Sequence, residues 1–269
     1  MNKRKIFFGI VFLIAALFAG LFFRGENFAQ EKQDVNDQRQ ILPEEKNVQN
    51  ENEKKSQLVE KQKEEQVQIK PVEKNKVPFT SQAPLGDWSD ERNQNGCEEA
   101  SVAMAMRWIK GKSFSSPNDA QQEIFDISKF EEKTFGYFID TDVSDVGKIL
   151  VDFYGFKNFT ISKSFILDDL KKELAKQNII LVPIFGRALK NPNFTEPGPI
   201  THMLVLVDYD AKTKEFITND PGTKRGENYR YDEKVLFDAI WAYPSGKNHP
   251  DAPKSIKDKA MLVINGGKK

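Results

Sequence analysis

The stretch that decides the fold is Asn95-Gly96-Cys97-Glu98-Glu99-Ala100-Ser101-Val102-Ala103-Met104-Ala105-Met106-Arg107-Trp108-Ile109. It predicts a helix over Glu98–Lys110 with Cys97 at its start, where the unpaired amides and the positive end of the helix dipole face the sulfur. That placement lowers a thiol pKa and favours the nucleophilic thiolate. A free cysteine is equally often a small buried apolar residue, and position alone leaves both readings open. Glu98 and Glu99 suit a first helical turn, yet a carboxylate so close to the sulfur raises its pKa unless it points away.

A thiolate nucleophile needs a base or ion-pair partner, and the chain holds one cysteine and two histidines. His202 follows Pro197-Gly198-Pro199-Ile200-Thr201 and opens the apolar run Met203-Leu204-Val205-Leu206-Val207, at the mouth of a predicted strand. His249, in the proline-flanked polar loop Lys247-Asn248-His249-Pro250, reads as an exposed bystander. The next strand stops at Thr218-Asn219-Asp220-Pro221-Gly222, where Asp-Pro-Gly forces a turn. If the two strands pair as a hairpin, His202 lies beside Asn219 or Asp220, and a carboxylate there holds the imidazole tautomer and orientation.

Outward from these residues, a second helix is predicted to start at Ser116-Pro117, with Ser as cap and Pro in the first turn. A third runs over Val143–Tyr154, with Val146, Ile149, Leu150 and Phe153 on one face, and ends at Gly155. A fourth covers Leu167–Gln177. Strands follow at Ile179–Phe185, Met203–Val207 and Glu215–Thr218, with Asp208–Lys214 as a hairpin connection; a short helix at Asp232–Trp241 precedes a last strand at Ala260–Ile264. Helices first and strands afterwards indicate an α+β fold.

In this order and context the residues resemble papain-fold cysteine peptidases. The specific likeness is to the bacterial double-glycine, bacteriocin-processing peptidase-like group, family thirty-nine of the cysteine peptidases. It rests on Val77-Pro78-Phe79-Thr80-Ser81-Gln82, on Asn95-Gly96-Cys97 with Ala100-Ser101 and Met104 behind it, on Thr201-His202-Met203, and on Asn219-Asp220-Pro221-Gly222. It covers roughly Val77 to Val263. The resemblance implies Cys97 as nucleophile, His202 as general base and acid, Asp220 as orienting residue, and Gln82 as side-chain donor of the oxyanion hole, with Gln94 as the alternative donor. It further implies a peptide or protein substrate and an acyl-enzyme thioester. Family members commonly carry a small pair such as Gly-Pro after the cysteine, where this chain has Glu98-Glu99. Two other functions use the same scaffold: acyl or peptidyl transfer, and a non-catalytic cell-envelope binding module in which Glu98-Glu99 mark a lost site. The loop Arg187–Ile200 leads into His202 and is expected to wall the cleft.

Residues 1–23 carry Lys3, Arg4 and Lys5 ahead of an 18-residue uncharged apolar run, Ile6–Phe23. As a helix it would span about 27 Å, close to a hydrocarbon core. An uncleaved signal anchor is expected, with a cleaved signal as the alternative; the basic residues then place the N-terminus in the cytoplasm and the domain outside. Residues 24–76 are dominated by Glu, Lys, Gln and Asn and read as a disordered spacer, with a flexible-coil reach of about 40 Å. The domain occupies residues 77–269.

The whole chain has 269 residues, with 40 Lys+Arg against 40 Asp+Glu. That balance argues against nucleic acid as partner. One cysteine excludes an intrachain disulfide and a multi-thiolate metal cage, and no metal or cofactor is expected. Gly111-Lys112-Ser113 has Met106 where a phosphate loop needs its first glycine. Zinc-protease and serine-hydrolase signatures do not occur. Gly266-Gly267 reads as a flexible tail rather than a processing site.

Overall fold

The computed structural model describes residues 76–246 and 250–266. The expected anchor, nearly all of the spacer, His249 and Gly267 lie outside the described residues. Among the described residues no helix is long and apolar enough to cross a membrane.

The element order is α1 (Glu91–Gln94), α2 (Cys97–Ile109), α3 (Pro117–Phe135), α4 (Val143–Lys148) continued by a π-helical turn (Ile149–Phe153), β1 (Phe159–Ser162), α5 (Leu167–Ala175), β2 (Ile179–Phe185), a 3-10 turn (Gly186–Leu189), β3 (Thr201–Asp210), β4 (Glu215–Asn219), β5 (Tyr229–Asp232), α6 (Glu233–Ala239) and β6 (Met261–Ile264). The six strands form one sheet in the order β1-β6-β2-β3-β4-β5, and every pairing is antiparallel. The α+β reading holds, and the predicted helices and strands appear within a few residues of their expected bounds. Three short elements were not anticipated: α1, β1 and β5 are four residues each, too short to show a period.

Local chemistry explains the boundaries. Ser116 accepts a hydrogen bond from the Asp119 amide with Pro117 in the first turn of α3, as the cap rules require. Asp142 caps α4 by accepting from the Ser144 and Asp145 amides. Gly96 precedes α2 because any side chain there collides: an added Cβ would lie 2.5 Å from the Arg92 carbonyl oxygen.

The strands β2 and β3 are apolar on both faces, and the alternation of their side chains sorts the core into two layers. Ile179, Leu181, Met203, Val205 and Val207 pack with Val102 and Met106 of α2, Val146 of α4 and Leu150 of the π-helical turn. Ile180, Val182, Leu204 and Leu206 pack with Leu170 and Leu174 of α5 and with Leu236 and Ala239 of α6. Helices therefore cover both faces of the antiparallel sheet, and burial of each large aliphatic side chain contributes about 1.5–3 kcal/mol.

Candidate active site

The helix α2 and the strand β3 meet at one end of the sheet. Ser101 Oγ donates to the Met203 carbonyl oxygen at 3.3 Å, and the Met203 amide donates to the Cys97 sulfur. Cys97 is 6% exposed and His202 1% exposed. Both line the same cavity, of about 620 Å³. Phe194 and Ile200, from the loop that sequence reasoning placed at the cleft, form one wall with Asn193, Thr195 and Pro199, while Trp88, Gln94 and the exposed Lys224 and Arg225 lie elsewhere on the rim.

The histidine–acid pair is formed. His202 Nε2 lies 2.8 Å from Asp220 Oδ1, and both side chains are buried. The register explains why the partner is Asp220: Val205 pairs with Asn219, which brings Gly222 opposite His202 and Asp220 to the diagonal position. Asn219 instead donates to the Val77 carbonyl oxygen at 3.1 Å and accepts from the Asn228 amide at 3.2 Å, tying down the segment that leads to Gln82.

Asp220 is satisfied on every side. Oδ1 also accepts from the Gly222 amide at 3.0 Å, and Oδ2 accepts from Tyr231 Oη at 2.5 Å and Asn191 Nδ2 at 3.3 Å. Burial, the largest influence, pushes its pKa up. The charge and hydrogen bond of His202, with Tyr231 and the Gly222 amide, outweigh it and hold the carboxyl below the usual range. Phe194 stands edge-on to the imidazole, with 5.4 Å between ring centroids. Tyr231 and Asn191 escaped sequence reasoning because β5 and the loop that carry them show no pattern that points at Asp220.

Two expectations change. Gln82 was read as the oxyanion donor, but its Nε2 donates to the Asn93 and Gln94 carbonyl oxygens at 2.9 and 2.8 Å. Both amide hydrogens are thereby engaged. Its backbone amide donates to the Pro221 carbonyl oxygen at 2.9 Å, so Gln82 clamps the loop before Cys97 to the turn after Asp220. Gln94, the alternative, lines the cavity as Gln82 does, but donates only once, to the Trp88 carbonyl oxygen at 2.7 Å.

The second change concerns the thiol. The triad reading expects Cys97, His202 and Asp220 to cluster within hydrogen-bond reach, or a little looser in an empty site. Cys97 Sγ instead donates to Glu98 Oε2 at 2.9 Å, and among the described residues no hydrogen bond joins Cys97 to His202. Alternation contributes: His202 shares its side of β3 with Leu204 and Leu206, and Met203 the side that packs on α2. Glu98 does not point away, as its place in the first turn allowed. Its other oxygen accepts from Tyr243 Oη at 2.6 Å, and all three groups are buried. Burial, then the charge and hydrogen bond of Glu98, push the Cys97 thiol well above its ordinary range. Burial also raises Glu98.

Behind this pair lies a further set of buried acids. Asp140 Oδ1 accepts from Thr201 Oγ1 at 2.5 Å. Glu99 and Glu131 hydrogen-bond to each other, while Ser128 donates to Glu99 at 2.9 Å and Thr141 to Glu131 at 2.8 Å. Neither carboxyl is exposed, and two carboxylates cannot face each other without a proton between them. Burial, the largest influence, raises Glu99 well above its ordinary value and Glu131 to about 8. Among the described residues no group of His, Cys, Asp and Glu is arranged to hold a metal ion.

No curated protein matches the chain. Among solved structures, that of a candidate C39-like peptidase from Bacillus anthracis overlaps at a TM-score of 0.42 and 14% identity, over 72% of this chain and 97% of that one. So loose an overlap carries no argument. The model of the peptidase C39-like family, by contrast, matches residues 74–248, a span that contains Gln82, Cys97, His202 and Asp220. The chain belongs to the peptidase C39-like family.

Proposed function

We propose that this protein is a cysteine peptidase that hydrolyses a peptide or protein amide bond through Cys97, His202 and Asp220. The observation that carries the reading is the shared cavity: the lone thiol at a helix start and His202, held from behind by the buried Asp220, line one space of about 620 Å³. The sulfur attacks the substrate carbonyl carbon. Amides at the start of α2, unpaired within the helix, face the developing oxyanion, with Gln94 as the side-chain donor. His202 enters the cycle as the imidazolium paired with Asp220; it gives one proton to the leaving amine, and a thioester remains on Cys97. Water adds to the thioester, gives its proton to His202 and releases the acid.

The test is turnover of a peptide library followed by mass spectrometry, with the wild type beside Cys97→Ala and His202→Ala. Cleavage by the wild type and its loss in both variants is expected. Cleavage that survives in Cys97→Ala refutes the nucleophile, and cleavage that survives in His202→Ala refutes the acid.

The proposal includes the setting: a single-pass anchor at residues 1–23, a spacer to residue 76 and an extracytoplasmic catalytic domain, supported by the apolar run Ile6–Phe23 behind Lys3, Arg4 and Lys5. Recovery in the membrane fraction, with the domain open to added protease on intact cells, is the expected result. A non-catalytic binding module is the second reading. It is favoured by one observation, the thiol bonded to Glu98 rather than to His202.

A further inference from the structure

We propose that Glu98 is a catalytic residue: its carboxylate accepts the Cys97 proton and carries it while the sulfur attacks. The inference rests on the cysteine peptidase reading above and assigns the first proton transfer within it.

Neighbouring residues on a helix seldom face each other, yet Cys97 Sγ and Glu98 Oε2 are 2.9 Å apart. Both side chains are buried, and among the described residues this is the one side-chain hydrogen bond that the thiol donates. The transfer breaks the S–H bond, forms an O–H bond on Oε2 and leaves the electron pair on sulfur. One negative charge moves between two buried atoms, so no new charge is desolvated.

The surroundings divide as follows. The Met203 amide and the start of α2 favour the anion on sulfur. Asp140, from the loop before α4, favours the proton on Glu98. Glu99 on α2 opposes the anion on sulfur, and the phenol of Tyr243 favours the carboxylate. Glu131 of α3 is coupled to Glu98 through its charge, and His202 faces the same cavity from β3. After attack the proton stays on Glu98 until the thioester is hydrolysed, when the departing thiolate takes it back.

A pair that shares one proton has a signature. Between the two ionisations of the pair, the tautomer with the proton on Glu98 is a constant fraction, so the reactivity of the sulfur does not change with pH. An independent thiol gains about tenfold per pH unit below its own pKa. Because the chain has one cysteine, alkylation by iodoacetamide reads Cys97 alone. The experiment measures that rate on the full-length protein from pH 5 to 9 for wild type, Glu98→Gln and His202→Ala. The expected result is a pH-independent span in the wild type that survives in His202→Ala and becomes a tenfold-per-unit slope in Glu98→Gln.

A span that survives in Glu98→Gln and vanishes in His202→Ala assigns the proton to His202; it overturns the proposal and leaves the peptidase reading standing. A slope in all three overturns the proposal and the Cys97–His202 reading together. Tyr243→Phe is the second variant, should Glu98→Gln fail to fold. Loss of the phenol donor raises the Glu98 pKa, so the pH-independent span starts at higher pH; an unmoved start overturns the proposal.

Discussion

Replacing Glu131 by glutamine tests the buried acid pair behind the site. In the fold, Glu131 keeps its proton up to about pH 8, against an ordinary value of 4.5, chiefly because it is buried. A carboxyl with a raised pKa contributes stability that is fully present below its unfolded value. That contribution is lost as pH rises toward the folded one, because only the unfolded chain ionises in between. Across that interval, at about 1.4 kcal/mol per pH unit, the loss is on the order of 5 kcal/mol. For a domain of this size that corresponds to about 10 °C or more in melting temperature.

Glutamine mimics the protonated acid at every pH: its carbonyl oxygen accepts from Thr141 and its amide donates to Glu99. The variant is expected to match the wild type within about 1 kcal/mol at pH 5 and to exceed it by a few kcal/mol at pH 8. A smaller slope remains from Glu98 and Glu99, which move in the same direction. Urea unfolding at pH 5, 6, 7 and 8 measures both curves. Parallel curves, or a variant that is less stable throughout, would refute the shared-proton account.

Four further substitutions probe the site. In Gly222→Ala the new Cβ would stand 2.9 Å from His202 Cε1 and from Phe194 Cε1; displacing the ring lowers turnover by about a hundredfold, measured with circular dichroism beside it to show that the fold persists. Asp220→Asn presents one oxygen to the four donors the carboxylate now accepts. It is expected to lower stability by about 3 kcal/mol, seen in urea unfolding, and to abolish turnover. For the oxyanion, Gln94→Ala is expected to reduce kcat by about 10²-fold with stability unchanged. Gln82→Ala mainly lowers the melting temperature, because two carbonyl oxygens lose their donor; the reverse pattern would restore Gln82 as the oxyanion donor.

Long apolar segments were legible because their period or run length is set by burial. Ile179–Phe185 was read to the residue, and α3 began where Ser116-Pro117 said it would. Strands β1 and β5 were not legible, since four residues of mixed polarity carry no period and are held by partners distant in sequence. Phe159 pairs with Ile264, and Tyr231 with Phe216.

The site divides in the same way. Cys97, His202 and Asp220 could be named from residue scarcity, position on their elements and a family resemblance, because a helix start, a strand mouth and an Asp-Pro-Gly stop are local features. Which atom each one touches is a matter of packing. The register of β3 on β4 selects Asp220 over Asn219, and the Tyr243 phenol holds one oxygen of Glu98 while the other accepts from the sulfur. The same packing commits Gln82 to the backbone before Cys97. Local chemistry along the chain therefore determined the elements and the candidate residues. Only the tertiary structure decided the hydrogen-bond partners, because buried polar groups must take whichever neighbours the packed core brings to them.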